Sequence, residues 1–182
     1  PWVWGAAVVA CAAAAIVVAL RPARLDVRVT GGSTSDEGYV SPDGDGDALL
    51  TFSDGTQLTL ERGTRGRLAE LTAGSPRVVV EDGRARVQVR KRPHARWAFH
   101  AGPYVVDVTG TAFSIDWSSR LERFTLELHE GTVTVRGPSS ESGLAMRAGQ
   151  RLVASARTGD FKLEPLVRPT PAAPPPPAEA PK

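Results

Sequence analysis

Few residues of this sequence are of types and spacings that could do chemistry. Three histidines stand at His94, His100 and His129, on separate predicted strands or loops. No two have the helical spacing that places two imidazoles on one metal. Glu127 and Glu130 flank a predicted turn, so strand geometry holds them apart and paired acid/base work is not expected. The run Asp43-Gly44-Asp45-Gly46-Asp47 sets carboxylates at alternate positions, like the start of a calcium loop. The match then fails: Ala48 stands where the sharp-turn glycine belongs, Asp54 replaces the bidentate glutamate, and no helices flank the run. It reads as a solvated turn. No G-x-S-x-G elbow, P-loop or dinucleotide fingerprint occurs. Cys11 is the single cysteine, which excludes an intramolecular disulfide and a cysteine-based zinc site. It lies in an apolar run and reads as a small hydrophobe. We therefore assign no catalytic, cofactor-binding or metal-binding residue, expect no cofactor, and expect no enzyme.

One tract concentrates charge. Arg84, Arg86, Arg90, Lys91, Arg92, His94 and Arg96 follow one another closely, and Arg84, Arg86, Arg90 and Arg92 share a strand parity opposite Val87 and Val89. This is the pattern of a solvated outer strand face. Its functional alternative is attraction to an anionic surface: a lipid headgroup, an envelope polymer or an acidic protein. The formal net charge of only +2 gives no support to nucleic-acid binding.

The elements that would carry these residues are strands. Leu25, Val27 and Val29 alternate with polar residues, as do Phe113, Ile115 and Trp117, and Phe124, Leu126 and Leu128. Asp54-Gly55, Asp82-Gly83 and Glu130-Gly131 each separate two apolar runs and are expected as hairpin turns. Gly110 interrupts the run from Tyr104 to Trp117, where a missing Cβ allows a bulge, a bend or close backbone approach. Residues 161–167 are expected to add a last short strand. No amphipathic helix of ten residues occurs after Leu20. Many short strands with frequent turns predict a mainly β domain, an antiparallel β-sandwich or jelly roll.

Four motifs carry a family resemblance. Val108-Thr109-Gly110-Thr111-Ala112-Phe113-Ser114-Ile115 resembles the V-x-G-T-x-F-x-V core of the FecR domain. Upstream, Phe52-Ser53-Asp54-Gly55-Thr56-Gln57-Leu58-Thr59-Leu60 is similar to its L-x-D-G-S-x-V-x-L. Downstream, Leu128-His129-Glu130-Gly131-Thr132-Val133-Thr134-Val135 is similar to its V-x-E-G-x-V-x-V, and Leu144 to Leu152 to its closing L-x-A-G-Q-x-L. The resemblance runs from about Gly46 to Val153. It implies a β-sandwich of jelly-roll kind. It also implies a regulator of an extracytoplasmic-function sigma factor, whose outer β-domain senses a protein partner such as an outer-membrane receptor. The sigma factor itself is expected to be held by a cytoplasmic segment upstream of Pro1. The family often has a further small α/β domain, which this sequence does not show.

The ends of the chain differ from its middle. Trp2 to Leu20 is an uninterrupted apolar run that as a helix spans roughly 29 Å, at about 1.5 Å per residue. Trp2 and Trp4 suit one membrane interface, and Arg21 and Arg24 mark the other end. The rival reading is a cleaved signal peptide, whose apolar core is normally only ~7–15 residues. Residues 167–182 are rich in proline and alanine and read as an extended spacer without a core. The expected organisation is thus a transmembrane anchor at 1–22, a FecR-like β-domain at 23–166 and a Pro-rich disordered tail at 167–182. With the resemblance, this places the protein in a bacterial inner membrane as a single-pass protein with its β-domain in the periplasm. A structural or adhesive envelope module without sigma-factor control is the alternative.

The anchor is testable. Ala13→Arg should impair membrane insertion by roughly 2.5–3.5 kcal/mol on insertion scales. The native chain should stay with membranes through alkaline extraction, and its release as a soluble species would sink the assignment.

Overall fold

The computed structural model describes residues 24–93, 95–138 and 140–166. The apolar run Trp2–Leu20, the Pro-rich tail and His94 lie outside the described residues. Every regular element among the described residues is a β-strand, fifteen in all. No helix there is long and apolar enough to cross a membrane.

The strands form two facing groups, and the chain visits them alternately. It opens in the first group with β1 (Val27–Thr30) and crosses to the second for β2 (Gly32–Thr34) and β3 (Tyr39–Pro42). It returns for the hairpin of β4 (Ala48–Phe52) and β5 (Gln57–Leu60), then crosses again for β6 (Arg65–Glu70). The long strand β7 (Arg77–Gln88) begins in the second group beside β6 and ends in the first beside β5. Three more hairpins alternate after it: β8 (Trp97–Ala101) with β9 (Tyr104–Val108) in the second group, β10 (Ala112–Ser118) with β11 (Arg123–Glu130) in the first, and β12 (Thr132–Gly137) with β13 (Ser140–Arg147) in the second. The hairpin of β14 (Gln150–Ser155) and β15 (Phe161–Pro165) completes the first group.

Period-two patterning explains why the groups face each other. Leu58, Val87, Phe113 and Leu128 are register partners across β5, β7, β10 and β11, and all are buried. Val78, Phe99, Val106 and Val135 form the matching row across β7, β8, β9 and β12. The Phe99 and Phe113 rings join the rows edge to face, with centroids 5.3 Å apart. Phe52 meets Trp97 at 4.8 Å, and Tyr104 stacks on Phe124 at 4.6 Å. Burial of each large apolar side chain contributes about 1.5–3 kcal/mol, and each ring pair adds about 0.5–1.5 kcal/mol.

The mainly β expectation therefore holds, with three differences in detail. The two groups are one continuous ladder network joined through β7, a sheet that curls into a half-barrel. The pairing is not wholly antiparallel, because β8 runs parallel to the first part of β7, with Arg77 opposite Ala98 and Val80 opposite Ala101. This results from the path of β7: it ends in the opposite group, so the chain must return to the second group before β8 and re-enter beside the start of β7. The third difference concerns the turns. Asp54-Gly55 does close a hairpin, but Asp82-Gly83 lies inside β7, and Glu130-Gly131 carries the chain from β11 to β12, strands that do not pair with each other. An acidic residue before glycine is compatible with a hairpin turn and with a bend between layers alike. Only the long-range partners distinguish them.

The bend inside β7 is built from specific contacts. Gly83 has φ +99°, in the region that disfavours a side chain. The Thr64 hydroxyl donates to the Arg84 carbonyl at 2.8 Å and accepts from the Arg84 N–H at 3.0 Å, clamping the bend. The Ser119 hydroxyl and backbone N–H donate to Asp82 at 2.6 and 2.8 Å, and hold its carboxyl below the ordinary aspartate range. A Cβ on Gly83 would lie 2.8 Å from the Thr64 Cα. Gly83→Ala should therefore lower stability by about 1–3 kcal/mol in urea denaturation. Gly63→Ala should cost only about 1 kcal/mol, since Gly63 also has positive φ but faces open space. Equal midpoints for the two variants would refute the clamp.

Candidate functional site

The four sequence motifs meet at one corner of the molecule. The turn between β4 and β5 is closed by Phe52 and Thr56, whose backbone groups bond at 2.9 Å. Asp54 in that turn is buried, at 4% exposure. One of its oxygens accepts the Thr56 N–H at 2.8 Å, the local bond typical of aspartate two residues ahead of its donor. The other accepts the Trp97 indole N–H at 3.0 Å, across to the second group. The Arg92 Nε donates to the Asp54 carbonyl at 3.1 Å, and the Arg90 N–H to the Thr56 hydroxyl at 3.3 Å.

The other corners pack on this turn. The Val89 N–H donates to the Thr111 carbonyl at 2.8 Å. A Cβ on Gly110 would lie 2.6 Å from the Lys91 Cβ, and one on Gly131 would lie 2.7 Å from the Gly110 carbonyl oxygen. Gly110 therefore marks close approach, as its place in the sequence predicts. Ala148 and Gly149 of the last motif donate to the Gly131 and Leu128 carbonyls at 3.0 and 2.8 Å. Each motif is thus a structural answer to one crowded crossing of the chain between strand groups.

Beside the corner lies an open groove of about 420 Å³. Its walls are mainly polar: Gln57 and Gln88 on neighbouring strands, Arg90 and Lys91 on the crossover, Thr111 on its floor and Glu130 opposite. The basic tract divides here. Arg84 pairs with Asp116 at 3.0 Å, and Arg86 with Asp47 at 2.8 Å and Glu61 at 3.3 Å. These are exposed pairs worth up to about 1 kcal/mol each. Arg90, Lys91, Arg92 and Arg96 have no carboxylate partner among the described residues.

The remaining candidate residues do not converge. Asp45 and Asp47 turn to Arg62 and Arg86 instead of to a common cation. Glu127 pairs with Arg151 at 3.4 Å. His100 lies on the outer face of β8 and His129 on β11, in different groups. Burial pushes the His100 imidazole below the ordinary histidine range; Arg77 adds to the shift and Asp107 opposes it. No group of three metal-ligating side chains occurs among the described residues. Reading the sequence missed the Asp54–Trp97 bond. The Asp-Gly-Thr order was a signal for the local half of it, but nothing in sequence distance joined Asp54 to Trp97.

A known family matches the sequence, and known structures share the fold. The profile of the FecR protein family matches residues 40–134, which contain two of the four motifs whole and the third as far as Thr134, and stop short of Leu144–Leu152. No curated protein matches the chain. Two crystal structures of a candidate anti-sigma factor from Parabacteroides distasonis share the fold. One has a TM-score of 0.62 at 22% identity, over 70% of this chain and 59% of that one. The other has 0.60 at 21%, over 76% and 60%. The chain thus spans about three fifths of their length.

The Asp54–Trp97 bond predicts strong coupling. Asp54→Ala orphans two buried donors and should cost about 2–4 kcal/mol. Trp97→Phe in that background should cost at least about 1 kcal/mol less than in the native protein. Additive losses in a double-mutant cycle followed by urea denaturation would refute the coupling.

Proposed function

Because the chain belongs to the FecR protein family, we propose that it is an envelope regulator that acts by binding a protein partner and passes that event to a sigma factor. The observation that carries this reading is the corner. The residues shared with the family are spent on chain crossings around an open polar groove, and none forms a nucleophile with a base or an oxyanion site. The anti-sigma-factor description of the structural neighbours supports the sigma-factor assignment.

In this reading residues 1–22 anchor the chain in the inner membrane, and 23–166 form the periplasmic jelly-roll-like domain that meets the partner. Residues 167–182 act as an extended Pro-rich spacer. Support comes from the length of the apolar Trp2–Leu20 run and from the proline content of the tail. No residue of 24–166 is assigned to sigma-factor contact in this reading, and an envelope protein such as an outer-membrane receptor is the partner class.

The test is transcription from promoters of the extracytoplasmic-function sigma factor in the native host. Removal of residues 24–166 should change promoter output severalfold and abolish its response to the inducing signal. Unchanged output and response would leave the structural or adhesive module as the better account.

A further inference from the structure

The groove has features that a purely structural corner does not need. Arg90 and Lys91 line it without a carboxylate partner among the described residues, whereas Arg84 and Arg86, a few residues earlier on β7, are both paired. Gln57 and Gln88 are cross-strand neighbours with exposed amides, and neither amide has a hydrogen-bond partner within the described residues. The register row continues through Ala112, whose small side chain leaves the trough open, to Glu130. A second hollow of about 300 Å³ shares Gln57, Gln88 and Ala112 and extends the trough toward Thr59 and His129. Thr111 on the floor is 3% exposed, and its hydroxyl has no hydrogen-bond partner among the described residues. A buried hydroxyl left unpaired costs stability, so its retention on the floor of a groove points to a partner that arrives from outside.

Resting on the reading above, we propose that this groove docks an extended, carboxylate-bearing peptide segment of the partner protein. Arg90 and Lys91 receive the carboxylate, because charge-assisted bonds to two free cations select an anionic group. The Gln57 and Gln88 amides each offer a donor and an acceptor, which suits the alternating groups of an extended backbone. The Thr111 hydroxyl lies just below the same floor and supplies a donor when the segment closes over it. Glu130 on the facing wall argues against a polyanion: a phosphate-rich surface would meet its charge, whereas a segment with one carboxylate and a neutral or basic neighbour would not. The concave trough likewise fits a strand of peptide better than a flat lipid surface.

Selection of a phage-displayed library of random linear peptides on the full chain tests this. Sequences enriched in Asp or Glu should emerge. Arg90→Gln with Lys91→Gln should weaken the best of them at least about tenfold, an effect that shrinks in high salt because the cations are exposed. Thr111→Val should weaken the same peptide while raising the melting temperature by about 1–3 °C, a combination that a merely structural threonine would not give. Absence of acidic enrichment, or equal binding by the native and doubly substituted chains, would overturn the proposal. So would capture of phosphatidylglycerol vesicles that depends on Arg90 and Lys91 without peptide selection. The sigma-factor reading stands or falls separately. A promoter that responds normally in the Arg90→Gln, Lys91→Gln strain overturns the groove alone. Acidic peptide selection that the double substitution abolishes supports the groove even where promoter output ignores the whole β-domain.

Discussion

One strand serving two layers is the constraint on which this fold depends. β7 hydrogen-bonds β6 and β8 with its first part and β5 and β10 with its second, so both halves of the core hang from it. A strand can do this only if its backbone bends without losing its ladder on either side. Gly83 supplies the bend, Thr64 clamps it, and Asp82 takes two bonds from Ser119 in the turn between β10 and β11. The parallel partner β8 and the crossover between β7 and β8 both result from where β7 ends.

The crossover has to be fastened at its far side, and polar bonds do most of that work. Asp54, within the β4–β5 turn, accepts from Trp97, the residue with which β8 begins. The Trp97 ring in turn packs on Phe52 and Phe99. The start of β8 is therefore set by a hydrogen bond in a low-dielectric place, where a donor left unpaired would be costly. Local crowding then explains the glycines at 110 and 131: backbones of three crossings approach within contact distance, and side chains would not fit.

Charge on the outer face obeys the same economy of space. Across the first group, Arg84, Arg86 and Arg151 each stand opposite or beside a carboxylate on a neighbouring strand or loop. Opposite charges on neighbouring strands of a sheet stabilise it slightly. Where the strand stops and the crossover begins, Arg90 and Lys91 have no carboxylate pair among the described residues, although Glu130 of β11 lines the same groove. A net charge of +2 conceals this separation.

The alternation of apolar residues by itself determined that the described chain is built of strands and which side chains point inward; Phe113, Ile115 and Trp117 are all buried as their spacing requires. Period two is a local property of an extended backbone, so it is legible without knowing any partner. The four motifs likewise announced their family, because they are short and contiguous. The tertiary structure alone decided which acidic-glycine pairs close hairpins and which turn corners, that β8 runs parallel to β7, and that Asp54 bonds Trp97. It alone divided the basic tract into paired and free cations and brought Gln57, Lys91, Thr111 and Glu130 to one groove. Each of these depends on which distant strand lies alongside. That choice is made by the packing of whole faces against each other, which no local stretch of sequence contains.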